Sequence, residues 1–198
     1  MNKPYSESCD QNKKPILKVL QPLLAAASDV LEIGSGTGQH ALYFSQMMPH
    51  LTWNTSDCAA YLAGINCWLN DAELSNIKAP FELDVTRSEW PSLQVDTVFT
   101  ANTVHIMHQH DVTNLFTGVG RLLKTGGDFI IYGPFNYDNA YTSVSNADFD
   151  LWLKSRDPLS GIKDFEELEL LANNAGMVLV SDYEMPANNR ILHFTRVS

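Results

Sequence analysis

The chain of 198 residues, 44% hydrophobic and 18% charged, has the make-up of an ordinary globular protein, and its length predicts a single domain over 1–198. A formal net charge of −10 argues against a nucleic-acid partner, because phosphate-backbone affinity comes from clustered Lys and Arg, and the close basic pair here is only Lys13 with Lys14. No apolar run approaches the roughly 20 residues that span a bilayer. The polar start lacks the apolar stretch of a signal peptide, and Cys9, Cys58 and Cys67 have neither zinc-ligand nor CxxC spacing, so the expectation is a cytoplasmic protein with reduced thiols, no membrane association and no metal.

In chain order, the first predicted helix covers 12–27, with Ile16, Leu17, Leu20, Leu23 and Leu24 as its apolar stripe, Pro15 near its first turn, and Pro22 kinking or dividing it. Strands are predicted at 30–33, 51–55, 79–83, 95–101 and 128–132, with helical segments between them at 40–48, 59–72 and 111–123. Short β-branched apolar runs alternating with helical periods are the pattern of a parallel sheet with crossover helices, so the fold class is α/β. A long polar segment follows, then a helix at 165–174 and two strands at 178–183 and 191–196. The link between those strands, 184–190, is too short for a parallel return, which needs a dozen or more residues; it predicts an antiparallel hairpin and raises the strand total to seven.

The sharpest motif runs Val30-Leu31-Glu32-Ile33-Gly34-Ser35-Gly36-Thr37-Gly38, an apolar strand entering a glycine loop that opens a helix. Each glycine permits a tight turn or a close backbone approach to a ligand. Gly34 and Gly38 lie four residues apart, whereas the dinucleotide fingerprint spaces its outer glycines by five. A strand-to-helix turn without a ligand would also use these glycines, but the acid and the strand context favour a nucleotide-type cofactor. Asp57 ends the second strand, 23 residues after Gly34, near the spacing of about 20 at which an acid accepts from ribose hydroxyls. Asp84 ends the third. Each acid taken alone reads equally well as a helix N-cap.

The glycine loop, with its acid two residues upstream, resembles motif I of class I S-adenosylmethionine (SAM)-dependent methyltransferases, and the strand pattern is similar to their Rossmann-like sheet of seven mostly parallel strands, helices on both faces and an antiparallel C-terminal hairpin. The resemblance implies that SAM is the cofactor and S-adenosylhomocysteine (SAH) the product. It implies that Gly34, Ser35, Gly36 and Gly38 pass beside the amino-acid moiety near Glu32 and Asn12, that Asp57 serves the ribose, that Asp84 and the Val85 amide serve adenine, and that Asn102 borders the cofactor. More closely, Asn12-Lys13-Lys14-Pro15-Ile16-Leu17, the stretch 143–164 and the stretch 185–189 resemble a family of methyltransferase-like proteins of unknown function. Distinctive residues of that family are Asn146, Asp150, Arg156 and Asp157, which either build an acceptor site or form a helix junction in which Arg156 pairs with an acid.

In an open parallel sheet, ligands bind beyond the carboxyl ends of the strands, so the following loops hold the remaining candidates. After the fourth strand, His105, His108 and His110 lack the carboxylate company of a usual metal set. His105 is the candidate general base, with packing or hydrogen bonding at the rim as the equally weighted alternative. Tyr137 in the loop after the fifth strand, and Asn188 and Asn189 in the hairpin link, are candidate acceptor contacts; paired asparagines also suit a tight turn on conformational grounds alone. Tyr5 is a further candidate acceptor contact in the polar stretch 5–12, a candidate lid over the cofactor, and residues 1–28 comprise this lid and the first helix. The reading is a methyltransferase for a small-molecule acceptor, as monomer or homodimer. A SAM-binding regulatory protein and an NAD-linked oxidoreductase are the alternatives.

Overall fold

The computed structural model describes residues 3–87 and 89–197. Helix α1 spans Glu7–Leu23, followed by β1 (Asp29–Ile33), α2 (Gln39–Met47), β2 (Thr52–Asp57), α3 (Ala59–Leu69), β3 (Phe81–Glu82) and β4 (Val95–Ala101). A 3₁₀ turn at Val104–Ile106 leads into α4 (Gln109–Leu122), β5 (Leu123–Gly133), β6 (Phe135–Asn136), α5 (Val144–Arg156), β7 (Lys163–Asp164), α6 (Phe165–Asn174), β8 (Met177–Met185), a second 3₁₀ turn at Pro186–Asn188 and β9 (Asn189–Arg196). Seven strands form one sheet in the order β3-β2-β1-β4-β5-β9-β8, and β6 and β7 make a separate parallel pair. β1 runs parallel to β2 and β4, whereas β9 lies antiparallel to β8, as the short hairpin link requires, and also antiparallel to β5.

By compactness the chain divides into two units. The first holds the residues up to Asp84 together with Val95–Phe99. Its central strand β1, Asp-Val-Leu-Glu-Ile, is buried from Val30 to Ile33, as a strand covered on both faces must be. Phe44 of α2 packs on Trp53 of β2 and edge-on to Phe99 of β4, at ring separations of 5.6 and 5.7 Å. α1 begins five residues before the predicted helix because Ser6 caps it, its Oγ accepting from the Cys9 amide. Pro15 therefore lies inside the helix, and Pro22 falls in the last turn, where the helix ends at Leu23 without being divided. β3 is shorter than the predicted 79–83, because Pro80 has no amide to give to the ladder.

The second unit holds Val85–Gln94 and the residues from Thr100 on. α4 buries Val112, Leu115, Phe116 and Val119 along one stripe, and Phe116 meets Phe129 of β5 and Phe194 of β9 edge to face at 5.2 and 6.0 Å. Helix α5 lies inside the segment that the sequence presents only as polar. Ser143 caps it by accepting from the Asn146 amide. Its buried side chains are Asn146, Asp150 and Leu153, while Val144, Leu151 and Trp152 are exposed. The usual amphipathic pattern is thus reversed, and no apolar stripe announces the helix.

Candidate functional site

In the first unit, the loop between β1 and α2 turns on Gly34, Gly36 and Gly38, all with positive φ (74°, 58° and 89°). A Cβ on Gly38 would lie 3.2 Å from Ile65, so that glycine serves the packing of α2 on α3; at Gly36 a Cβ would face open space apart from the Gly34 carbonyl at 4.0 Å. The amides of Gly34 and Ser35 both donate to the Ser56 carbonyl, 3.0 Å each, which fastens the loop to the end of β2. Asp57 completes the attachment: Oδ2 accepts from the Gly36 amide at 2.7 Å and Oδ1 from the Cys58 amide at 2.7 Å. Its carboxyl is pushed up by burial, partly offset by these two bonds.

Glu32 is almost fully buried, and its Oε2 accepts from Ser35 Oγ and from the Trp53 indole, both at 3.1 Å. Burial raises it to about 7, against the pull of those two donors. Asp84 lies one residue beyond Leu83, whose amide donates to the Asp57 carbonyl, and both acids, after partial burial, help to raise the Cys58 thiol. The structure thus brings Glu32, Gly34, Ser35, Gly36 and Asp57 into one cluster, with Asp84 beside it. Asn12 is buried with its Oδ1 on His40 Nε2 at 2.6 Å, and burial depresses that imidazole to about 4. Gln39, which sequence reasoning passes over, accepts from the Ser6 amide at 2.6 Å and from Thr37 Oγ1 at 2.9 Å, and donates to the Ser6 carbonyl at 3.2 Å. It ties the start of α1 to the glycine loop, and its place directly after Gly38 is the signal that could have found it. Tyr5, just before that anchor, is exposed.

The second unit carries the other candidates. Val85 is buried, and Asn102 sits at φ 57°, a left-handed backbone that asparagine tolerates, with its amide on the Tyr132 carbonyl at 2.9 Å. His105 is only 7% exposed; its ring lies edge-on to Phe149 of α5 at 5.1 Å, and among the described residues neither ring nitrogen has a hydrogen-bond partner. Burial, then repulsion from Lys163, lowers it to about 4, so it is an unprotonated imidazole at neutral pH. The other histidines of its loop do not join it: His108 bonds Asp157 at 2.7 Å, and His110 opens α4.

Tyr137 stacks on Phe165 and donates its hydroxyl to Asp182 at 2.7 Å; burial, and then this bond, raise the phenol. Arg190 holds the other oxygen of Asp182 at 2.8 Å, so Tyr137 is engaged in bracing the β8–β9 hairpin. Ala187 and Asn188 turn that hairpin with φ of 58° and 57°. Asn188 also donates to Ser145 Oγ and accepts through its carbonyl from Asn146, whereas Asn189 caps its own turn by donating to Pro186 and Ala187. α5 therefore contacts both the His105 ring and the hairpin turn. Asp150 is buried and accepts from the Ile162 amide, Tyr141 and Lys154 at 2.6–2.7 Å. Arg156 lies over the Trp152 ring at 4.8 Å, so the junction is made by Asn146, Asp150 and Asp157 while Arg156 stacks on an aromatic ring.

The strand order, with a glycine turn after β1 and an acid ending β2, defines the fold of class I SAM-dependent methyltransferases. Solved structures with this fold include an O-methyltransferase family protein from Burkholderia thailandensis (17% identity, TM-score 0.79, 96% of this chain and 59% of that one). Human N-acetylserotonin methyltransferase in complex with SAM matches at 14% identity and TM-score 0.80, over 97% of this chain and 53% of that one. PigF with SAH matches at 15% and 0.81, over 94% and 56%. The chain spans little more than half the length of these proteins. It belongs to the family described as "Protein of unknown function (DUF938)", whose model matches residues 3–196.

Proposed function

We propose that this protein is a SAM-dependent methyltransferase acting on a small-molecule acceptor and releasing SAH. The observation that carries the reading is the glycine loop pinned by Asp57: a turn open above Gly36, with a carboxylate at its edge. Each Asp57 oxygen accepts one amide and keeps a second lone pair for a ribose hydroxyl. The backbones of Gly34, Ser35, Gly36 and Gly38, with Asn12 and Glu32, take the amino-acid moiety, Asp84 and the Val85 amide take adenine, and Asn102 borders the cofactor. When bound, SAM supplies a methyl group on an electrophilic sulfonium, and that methyl replaces a proton on the acceptor. Neutral His105 accepts this proton, while Tyr5, Tyr137, Asn188 and Asn189 contact the acceptor; positioning supplies much of the acceleration in such a transfer.

Calorimetric titration with SAM, SAH and NADH in one buffer tests the cofactor, and the expected result is binding of SAM and SAH without NADH. NADH binding in the absence of both would overturn the proposal. Methyl transfer from isotope-labelled SAM across a panel of hydroxyl and amine compounds then separates an enzyme from a SAM-binding regulator, which would bind cofactor and label nothing.

A further inference from the structure

Lys163, between Ile162 and Asp164, is only 7% exposed. Its ammonium donates to two neutral carbonyls, Met107 at 2.8 Å and Gly161 at 3.0 Å. Both partners adjoin His105: Met107 follows the 3₁₀ turn that carries the histidine, and the Gly161 amide donates to the His105 carbonyl at 2.9 Å. β7 presents Lys163 beside Phe135 of β6, and a Cβ on Gly133 would lie 3.8 Å from His105 Nδ1 and 3.9 Å from the Phe135 ring. A buried lysine whose contacts are carbonyls alone has no ion pair to offset the loss of water. Such a residue is costly to the fold unless its charge is used.

We propose that Lys163 is a positioning residue for His105: its ammonium, held by the Met107 and Gly161 carbonyls, fastens the turn that carries the histidine and adds a like charge to the surroundings of the ring. The inference rests on His105 being the proton acceptor of the reaction proposed above. Lys163 is the charged group acting on His105, from β7; the group packed on the ring from α5 is Phe149, which does not titrate. Lys163 itself is faced by Asp150 and Lys154 of α5, Glu167 of α6 and Asp111 of α4. Burial lowers Lys163, and the facing acids Asp150, Glu167 and Asp111 oppose the fall.

The test is the titration of His105, followed through its Cε1–Hε1 resonance by NMR and assigned with His105→Gln. In the unmodified protein the ring stays neutral down to about pH 5. Lys163→Met removes the charge and the fastening; Lys163→Gln removes the charge and keeps a donor for one carbonyl; Lys163→Arg keeps the charge. The expected result is a His105 midpoint raised by up to about one pH unit in the Met and Gln variants, with burial keeping it below an ordinary imidazole, and little moved in the Arg variant. An unchanged midpoint in a folded Met or Gln variant overturns the proposal, and so does failure of both to fold, which would make Lys163 a determinant of the fold only. Turnover that survives His105→Gln would instead refute the base assignment and leave the effect of Lys163 on the ring standing, so the two failures are distinguishable.

Discussion

Asp57 holds two backbone amides before any ligand arrives, which makes it both a loop anchor and a proposed ribose acceptor. Its removal by Ala would therefore mix two effects, and Asp57→Asn is the sharper variant because the amide oxygen still accepts from one of those donors. A hydrogen bond to a charged group contributes about 1.5–3 kcal/mol, so SAM affinity should fall roughly 10- to 100-fold. One amide left without a partner should lower the melting temperature by a few degrees, at about 2–4 °C per kcal/mol. Titration calorimetry beside thermal denaturation reads both quantities, and unchanged affinity in a folded variant removes Asp57 from the cofactor site. The acid was legible from its position at a strand end after a glycine loop. Its contact with the Gly36 amide was not, because it joins residues 21 apart that only the parallel pairing of β1 and β2 brings together.

Among the elements, those with an apolar stripe or an apolar run were readable, and the helix without either was not. α4 and α6 announce themselves by buried positions at helical spacing, and β4 matches its predicted bounds. α5 does not, since its inward side carries Asn146 and Asp150, whose bonds to Thr142, Ile162 and Tyr141 replace apolar burial. Close approach of helices gives the prediction at this scale. Gly120 of α4 is the point where a Cβ would lie 2.5 Å from the Ala175 carbonyl just beyond α6. Gly120→Ala gains about 1 kcal/mol of helix propensity and costs about 1–3 kcal/mol of overpacking, so the balance is destabilising. A melting temperature equal to or above that of the parent would mean that α4 and α6 are not in contact there.

Over the whole molecule, His40, His105 and Glu32 are three buried groups whose shifts bear on the response to acid. His40 and His105, both about 4 in the folded protein, take up protons near 6.5 when the chain unfolds, so each favours unfolding progressively as pH falls from 6.5 to 4. Glu32 acts oppositely: at about 7 when folded against 4.5 as its ordinary value, it stabilises the fold increasingly as pH falls from 7 to 4.5. Of these three, the two histidines outweigh the one carboxyl, so their combined effect is that stability should drop as pH falls below 6.5. Urea midpoints at pH 7 and pH 5 measure this, with the lower one expected at pH 5; equal midpoints would mean that the two imidazoles are not held neutral. By itself the sequence determined the α/β class, the parallel strands with their closing hairpin and the glycine–acid constellation, because period, turn chemistry and loop length act over a few neighbouring residues. Only the tertiary structure decided that Lys163 and Asp150 point inward, that Arg156 stacks on Trp152, and that Glu32, His40 and His105 lose their water. Burial depends on what distant segments bring to a side chain, and local pattern carries no record of it.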